Sequence, residues 1–155
     1  MSNEEVEKTI REYVAQVVHL SLGTSRDNKP WVCEVHFAYD DDLNLYFVSS
    51  KQRRHSLDIA DNPSVAGDIV TQHHKHQKVR GVYFEGKAAA LEDVDEHHPG
   101  YTAYIERLGG WDGLLKEIAK DGDAAMYKIS VENFYLFDGY ESGRGKFTLP
   151  WGTQA

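Results

Sequence analysis

The chain carries a single cysteine, Cys33. No intrachain disulfide can form, and a zinc site built from several thiolates is excluded. No apolar run approaches the roughly 20 residues that a membrane-spanning helix needs. Positive charge is also scarce. Lys and Arg number 17 against 25 Asp and Glu, a formal net charge of -8, so a polyanion such as nucleic acid is a poor partner. The opening residues, Met1 to Glu5, are acidic and lack an apolar signal core, which reads as a cytoplasmic protein without membrane attachment. No nucleophile elbow or Ser-His-Asp context is present. Asp40-Asp41-Asp42 lacks the remaining ligands of a calcium loop and reads as a turn. No internal repeat or low-complexity segment divides the chain.

What is present suits one domain over residues 1–155, with 41% hydrophobic and 27% charged residues. Val6, Ile10, Tyr13, Val14 and Val17 form one apolar face and predict a helix over 3–17, capped by Ser2 or Asn3. Leu20 and Leu22 alternate with small or polar residues in a strand over 19–25. Residues 26–30 are a turn. A second strand runs over 31–39, with Trp31, Cys33, Val35, Phe37 and Tyr39 as its core face. Further strands are expected at 44–48, 64–71, 79–91 and 125–137. Gly81 and Gly86 suggest a bulge or a close backbone approach in the strand over 79–91. Residues 92–108 read as helix broken by Pro99-Gly100, in pieces 93–98 and 101–108. A short helix over 111–120 has Asp112 as its cap. The tail from Gly139 carries Arg144, Lys146, Phe147 and Trp151. Many strands and one small core point to a mainly β fold, an antiparallel, Greek-key-like barrel with peripheral helices.

The chemistry concentrates in residues 45–63. A strand runs into Ser49 and Ser50, then a basic cluster of Lys51, Arg53, Arg54 and His55, then a helix ended by Asn62-Pro63. Helix N-terminal N–H groups attract anions, but cations there oppose the helix dipole. The residues alone leave two readings, an anion seat or a solvated basic turn. Against a net negative chain the cluster is local and suits a small anionic ligand. Histidines elsewhere are less suggestive. His73, His74 and His76 lie in a polar loop and read as an exposed turn rather than a metal site. His97 and His98 read as helix surface, and Cys33 as a small core residue without a resolving partner.

Three stretches, Pro30 to Asp40, Leu45 to Pro63 and Val79 to Gly86, together resemble the pyridoxamine 5′-phosphate oxidase-like, FMN-binding split-barrel family, over about residues 13–138. The resemblance implies FMN binding in a homodimer with the cofactor at the subunit interface, and a probable oxidoreductase acting on a small molecule. It implies that Arg54 and His55 stand at the family's Arg-Lys pair and Ser49 at its hydroxyl position. Ser50, Lys51 and Arg53 would add to the phosphate seat. Backbone groups of Val35, His36 and Phe37, and of Phe47, Val48 and Ser49, would face the flavin ring. Gly81 stands where the oxidases carry a glutamine, leaving only a backbone contact. Trp111 would reach the partner's flavin, with Tyr104, Lys146 and Trp151 as further candidates. The pattern departs from the true oxidases at Trp31 and Val32, where they carry an arginine, and in lacking their substrate-binding region. Vitamin B6 oxidation is therefore not implied. A non-catalytic protein on the same fold, holding flavin, a deazaflavin or haem, is the alternative.

Overall fold

A computed structural model describes residues 1–140 and 145–152, so Arg144 of the tail lies outside the described residues. The chain order is α1 (Asn3–Val14), β1 (His19–Arg26), β2 (Lys29–His36), β3 (Ala38–Tyr39), β4 (Leu45–Ser50), α2 (Arg54–Asp61), β5 (Ser64–Ile69), β6 (Arg80–Ala90), α3 (Pro99–Leu108), α4 (Leu114–Glu117), β7 (Ala124–Asp138) and β8 (Gly145–Pro150). One antiparallel sheet has the order β2-β1-β5-β6-β7-β4-β3, with β8 also on β7. The first and last strands of that order are consecutive in sequence, parted only by Phe37. The sheet therefore curls back on itself as a half-barrel. The long β7 is its spine. It pairs with β6 along one edge, and with β4 and then β8 along the other.

The interior follows from alternation. Leu20 and Leu22 of β1, Phe47 of β4, Ile69 of β5, Phe84 of β6 and Phe134 of β7 are all essentially fully buried. Each such side chain contributes about 1.5–3 kcal/mol. Phe47 stacks on Tyr127, centroids 4.9 Å apart. Helix α1 covers this core with Val6, Ile10, Tyr13 and Val14, and starts in a capping box between Ser2 and Glu5. The Tyr13 hydroxyl donates to the Arg80 carbonyl at 3.1 Å and accepts from the Thr71 N–H at 2.7 Å. A second cluster joins Ala38, Tyr46 and Met126 of the sheet to Tyr104, Leu114 and Ile118.

Several expectations change. Helix α1 stops at Val14, although Val17 still packs into the core. Residues 93–98 are not helical. Instead His98 caps α3 by accepting the Gly100 N–H on Nδ1, and Pro99 opens the helix, where its missing N–H costs nothing. Gly100 is needed there because a Cβ would lie 2.5 Å from the Tyr46 ring. Helix α4 is one turn, entered through Gly113 at φ 88° rather than capped by Asp112. The tail forms β8, a strand the alternation of Phe147 and Leu149 could have signalled. Strand β2 has no clean core face. Trp31 is 39% exposed and Val32 63%, while Cys33 and Val35 are half-buried. The reason is position: β2 pairs only with β1 and is an edge.

The bulge expected from the glycines falls between Glu85 and Gly86, where the β6–β7 register shifts. A Cβ at Gly86 would lie 2.2 Å from the Ser130 carbonyl oxygen. Gly86→Ala should therefore destabilise the protein by about 1–3 kcal/mol, read from urea unfolding midpoints at unchanged slope.

Candidate functional site

Strand β3 pairs with β4 only at Ala38–Tyr46 and Tyr39–Leu45. Beyond Tyr46, β4 keeps β7 on one side and has no ladder on the other. Strand β2 likewise keeps only β1. The two strands touch without pairing, so the wall of the half-barrel is split along the β2 and β4 edges. Helix α2 follows β4 and packs on β1, β6 and β2.

Two buried polar contacts fix α2. The Ser56 hydroxyl donates to the Ser50 carbonyl at 2.8 Å. The Asp58 carboxylate is 2% exposed. It accepts from the Thr24 hydroxyl at 2.9 Å and pairs with the Arg26 Nε at 3.3 Å. Both its oxygens are thus satisfied, as burial of a charge requires. The first turn of α2 is different. Its N-cap, Arg53, makes no side-chain cap, and no acidic residue occupies the turn. Three consecutive cationic or protonatable residues stand instead at this positive helix end. That arrangement is unfavourable by a few tenths of a kcal/mol per cation unless an anion sits there.

The structure divides the expected phosphate group. His55 turns towards β4 and lies 8% exposed, its Nε2 2.7 Å from the Ser49 hydroxyl. The Phe47 ring lies 6.0 Å from the imidazole. Burial, then the Arg53 charge, push His55 below the usual histidine range, and Asp58 opposes them. Among the described residues no carboxylate hydrogen-bonds the other ring nitrogen. Arg54 turns the other way and stacks its guanidinium over Trp31 at 4.3 Å. Lys51 is committed elsewhere. Its ammonium donates to the carbonyls of Lys120 at 2.9 Å and Gly122 at 2.7 Å and reaches that of Ala119 at 3.5 Å. It ties down the turn after α4. The Ser50 hydroxyl accepts from the Gln52 N–H at 3.3 Å.

Other candidates lie apart. Gly81 pairs with Phe137 at one end of β7, whereas Ser49 pairs with Ala125 at the other. The contour between them is roughly 40 Å at strand rise, so one subunit does not bring Gly81 to this seat. Trp111 is 47% exposed ahead of α4. Tyr104 is buried in the second cluster, and Trp151 donates its indole N–H to the Asp42 carbonyl at 2.7 Å and packs on Phe134. Both are held within their own chain. Lys146 is exposed on β8. His36 is exposed on β2, and its cross-strand partner is His19. Burial and Glu34 raise the Cys33 thiol, which keeps it protonated rather than reactive. Among the described residues no group of three His, Cys, Asp or Glu side chains is placed to hold a metal. Among the described residues no helix is long and apolar enough to cross a membrane.

The profile of the pyridoxamine 5′-phosphate oxidase family matches residues 6–138. The chain belongs to this family. Family membership does not make it a true oxidase of that name, given Trp31 and Val32 in place of the phosphate-binding arginine. Two curated relatives are UPF0306 proteins. That of Yersinia pestis is 25% identical over 132 residues, 84% of each chain. That of Haemophilus ducreyi is 30% identical over 79 residues, and the match spans about half of each, 50% of this chain and 54% of the relative. Among solved structures, a haem-binding protein from Mycobacterium smegmatis superposes with a TM-score of 0.72 at 18% identity, over 97% of this chain and 58% of that one. HutZ, a haem storage protein from Vibrio cholerae, gives 0.64 at 17% identity over 96% and 98%. These likenesses show the fold.

Sequence reasoning found the α2 terminus but missed its neighbours. Arg26 and Lys29 flank a turn in which Asp27 and Asn28 both have positive φ, 53° and 60°. The Asp-Asn pair between two strands was the available signal of a tight hairpin that would hold both cations against α2.

His55 gives a pH test. Its folded pKa lies below the unfolded value of about 6.5. The unfolded chain thus takes up the proton first as pH falls. Stability should be full above about pH 6.5 and decline below it, until the folded imidazole protonates. His55→Asn should flatten that part of the melting-temperature profile. An unchanged slope would mean that His55 does not generate it.

Proposed function

We propose that the protein binds FMN at the barrel split, with the phosphate at the N-terminus of α2, and acts as a flavin-dependent oxidoreductase on a small molecule. The observation that carries this reading is the uncapped, cation-rich first turn of α2, set at the mouth of the opening between β2 and β4. The residues fit the group. Backbone N–H groups of the first turn, the Ser49 hydroxyl and the Arg54 guanidinium supply donors and charge for a phosphate. His55, held neutral near pH 7, completes the Ser49 side as a donor or acceptor. The backbone edges of β2 and β4 offer donors and acceptors to the polar rim of a planar ring. Bound flavin supplies the redox chemistry, taking two electrons as hydride from a substrate. The protein orients the ring and excludes water; no side chain at the split is needed to carry a proton.

Two subunits complete the site in this reading. The β2 edge is unpaired and carries exposed Trp31 and Val32, and exposed apolar strand edges are usually covered. A second copy over the split would close the ring pocket. It would also bring that copy's Gly81 or Trp111 within reach, which one chain alone does not.

A second reading has haem as the bound group without turnover. It is favoured by the haem proteins among the structural neighbours, and by exposed His36 beside His19 as possible axial donors. The visible spectrum of freshly purified protein separates the two. Flavin absorption released by denaturation supports FMN, and a Soret band supports haem. Arg54→Ala should weaken FMN binding by about 2 kcal/mol or more, some thirtyfold. Unchanged affinity would remove Arg54 from the phosphate seat.

A further inference from the structure

The cations of the β1–β2 hairpin form a pocket of their own. A cavity of about 370 Å³ lies between the hairpin and α2, lined by Arg26, Asp27, Lys29, Arg54 and Asp58. Its charges do not cancel. The buried Asp58 has both oxygens occupied, by Arg26 and by Thr24. Lys29 and Arg54 then face the single exposed carboxylate of Asp27. Neither Lys29 nor Arg54 is part of an ion pair among the described residues. This local excess of positive charge stands in a chain of net charge -8, so it attracts a small anion without attracting a polyanion. The guanidinium of Arg54 is held in place by its stack on Trp31, which lowers the cost of ordering it around a ligand. The pocket lies along the Arg54–Asp58 side of α2, and the Ser49–His55 pair lies towards β4.

We infer that this cavity is a second oxyanion pocket, which holds a carboxylate or phosphate group additional to the one seated between Ser49, His55 and the α2 N-terminus. The inference takes that terminus as the cofactor's phosphate seat, as proposed above. The second oxyanion can come from two sources, a separate anionic substrate or a further phosphate on a cofactor longer than FMN. Lys29 is the pocket's own ligand-facing charge, and Arg54 stands between the two sites and is shared with the phosphate seat proposed above. Trp31 positions Arg54, and Arg26 is reserved for Asp58.

The full chain can be titrated with inorganic phosphate while Trp31 fluorescence is followed, with Trp31→Phe identifying that signal against Trp111 and Trp151. A saturable, salt-sensitive response is expected. Lys29→Glu should weaken it by about tenfold or more and Lys29→Gln by less, with unchanged unfolding midpoints, because Lys29 is exposed. FMN affinity, read from flavin absorbance, should change by no more than about twofold in both variants. No saturable response, or an equal loss of phosphate and FMN affinity in Lys29→Glu, would overturn the second pocket. A phosphate response that persists with FMN bound assigns the pocket to a separate anion. FAD binding about tenfold tighter than FMN, and abolishing the response, assigns it to an extended cofactor. FMN alone abolishing the response would overturn the pocket. A parent protein that takes up no FMN yet responds to phosphate refutes the flavin reading and leaves the pocket standing. The reverse result refutes only the pocket.

Discussion

Phe37 is the point at which one strand changes partners. Its side chain is fully buried, and its N–H donates to the Val18 carbonyl at 3.0 Å. Before it the chain pairs with β1, and after it with β4. One residue thereby closes the curled sheet while leaving the rest of β2 and β4 unzipped. The split is therefore built into the closure. Among the described residues it leaves β2 and β4 each with one open edge, which a bound planar molecule or a second subunit can cover.

Placement of α2 turns the slot into a candidate site. The Thr24–Asp58–Arg26 contact locks the helix to β1, and the Ser56–Ser50 contact locks it to the end of β4. The helix start is thus held beside both edges of the split. Its cations are then distributed by local packing. Arg54 is drawn to the Trp31 ring and His55 to Ser49, while Lys51 is drawn to three carbonyls in the turn after α4. The positive end of the helix, the Ser49 hydroxyl and the surplus charge of Arg54 and Lys29 make this the candidate anion-binding corner of an acidic molecule. A buried ion pair at Asp58 holds the geometry, and exposed charges supply the attraction.

Much of this was legible in the residues. Alternation located the strands because one face of most of them is buried, and the strand–Ser–cation–helix–Asn–Pro unit located α2 within a residue or two. The number of short strands around one small core pointed to an antiparallel barrel, and the sheet curls into a half-barrel. Three things were not legible. Trp31 and Cys33 alternate like core residues, but β2 is an edge strand with no clean core face. Lys51 looks like its basic neighbours, and only the fold brings the 119–122 carbonyls to it. Gly81 lies in a stretch that resembles the family motif, yet β7 holds it far along the sheet from Ser49. Each failure has the same cause: local pattern fixes a residue's face and element, whereas tertiary pairing decides its partner.

The central claim is that the α2 terminus is a phosphate seat. The most direct test is to compare the affinities of the purified protein for FMN and for riboflavin, which differ only in the phosphate. The account predicts that FMN binds more tightly by about 3 kcal/mol, a factor on the order of one hundred or more, with the advantage shrinking as salt rises. Equal affinities, or binding of neither flavin, would contradict it.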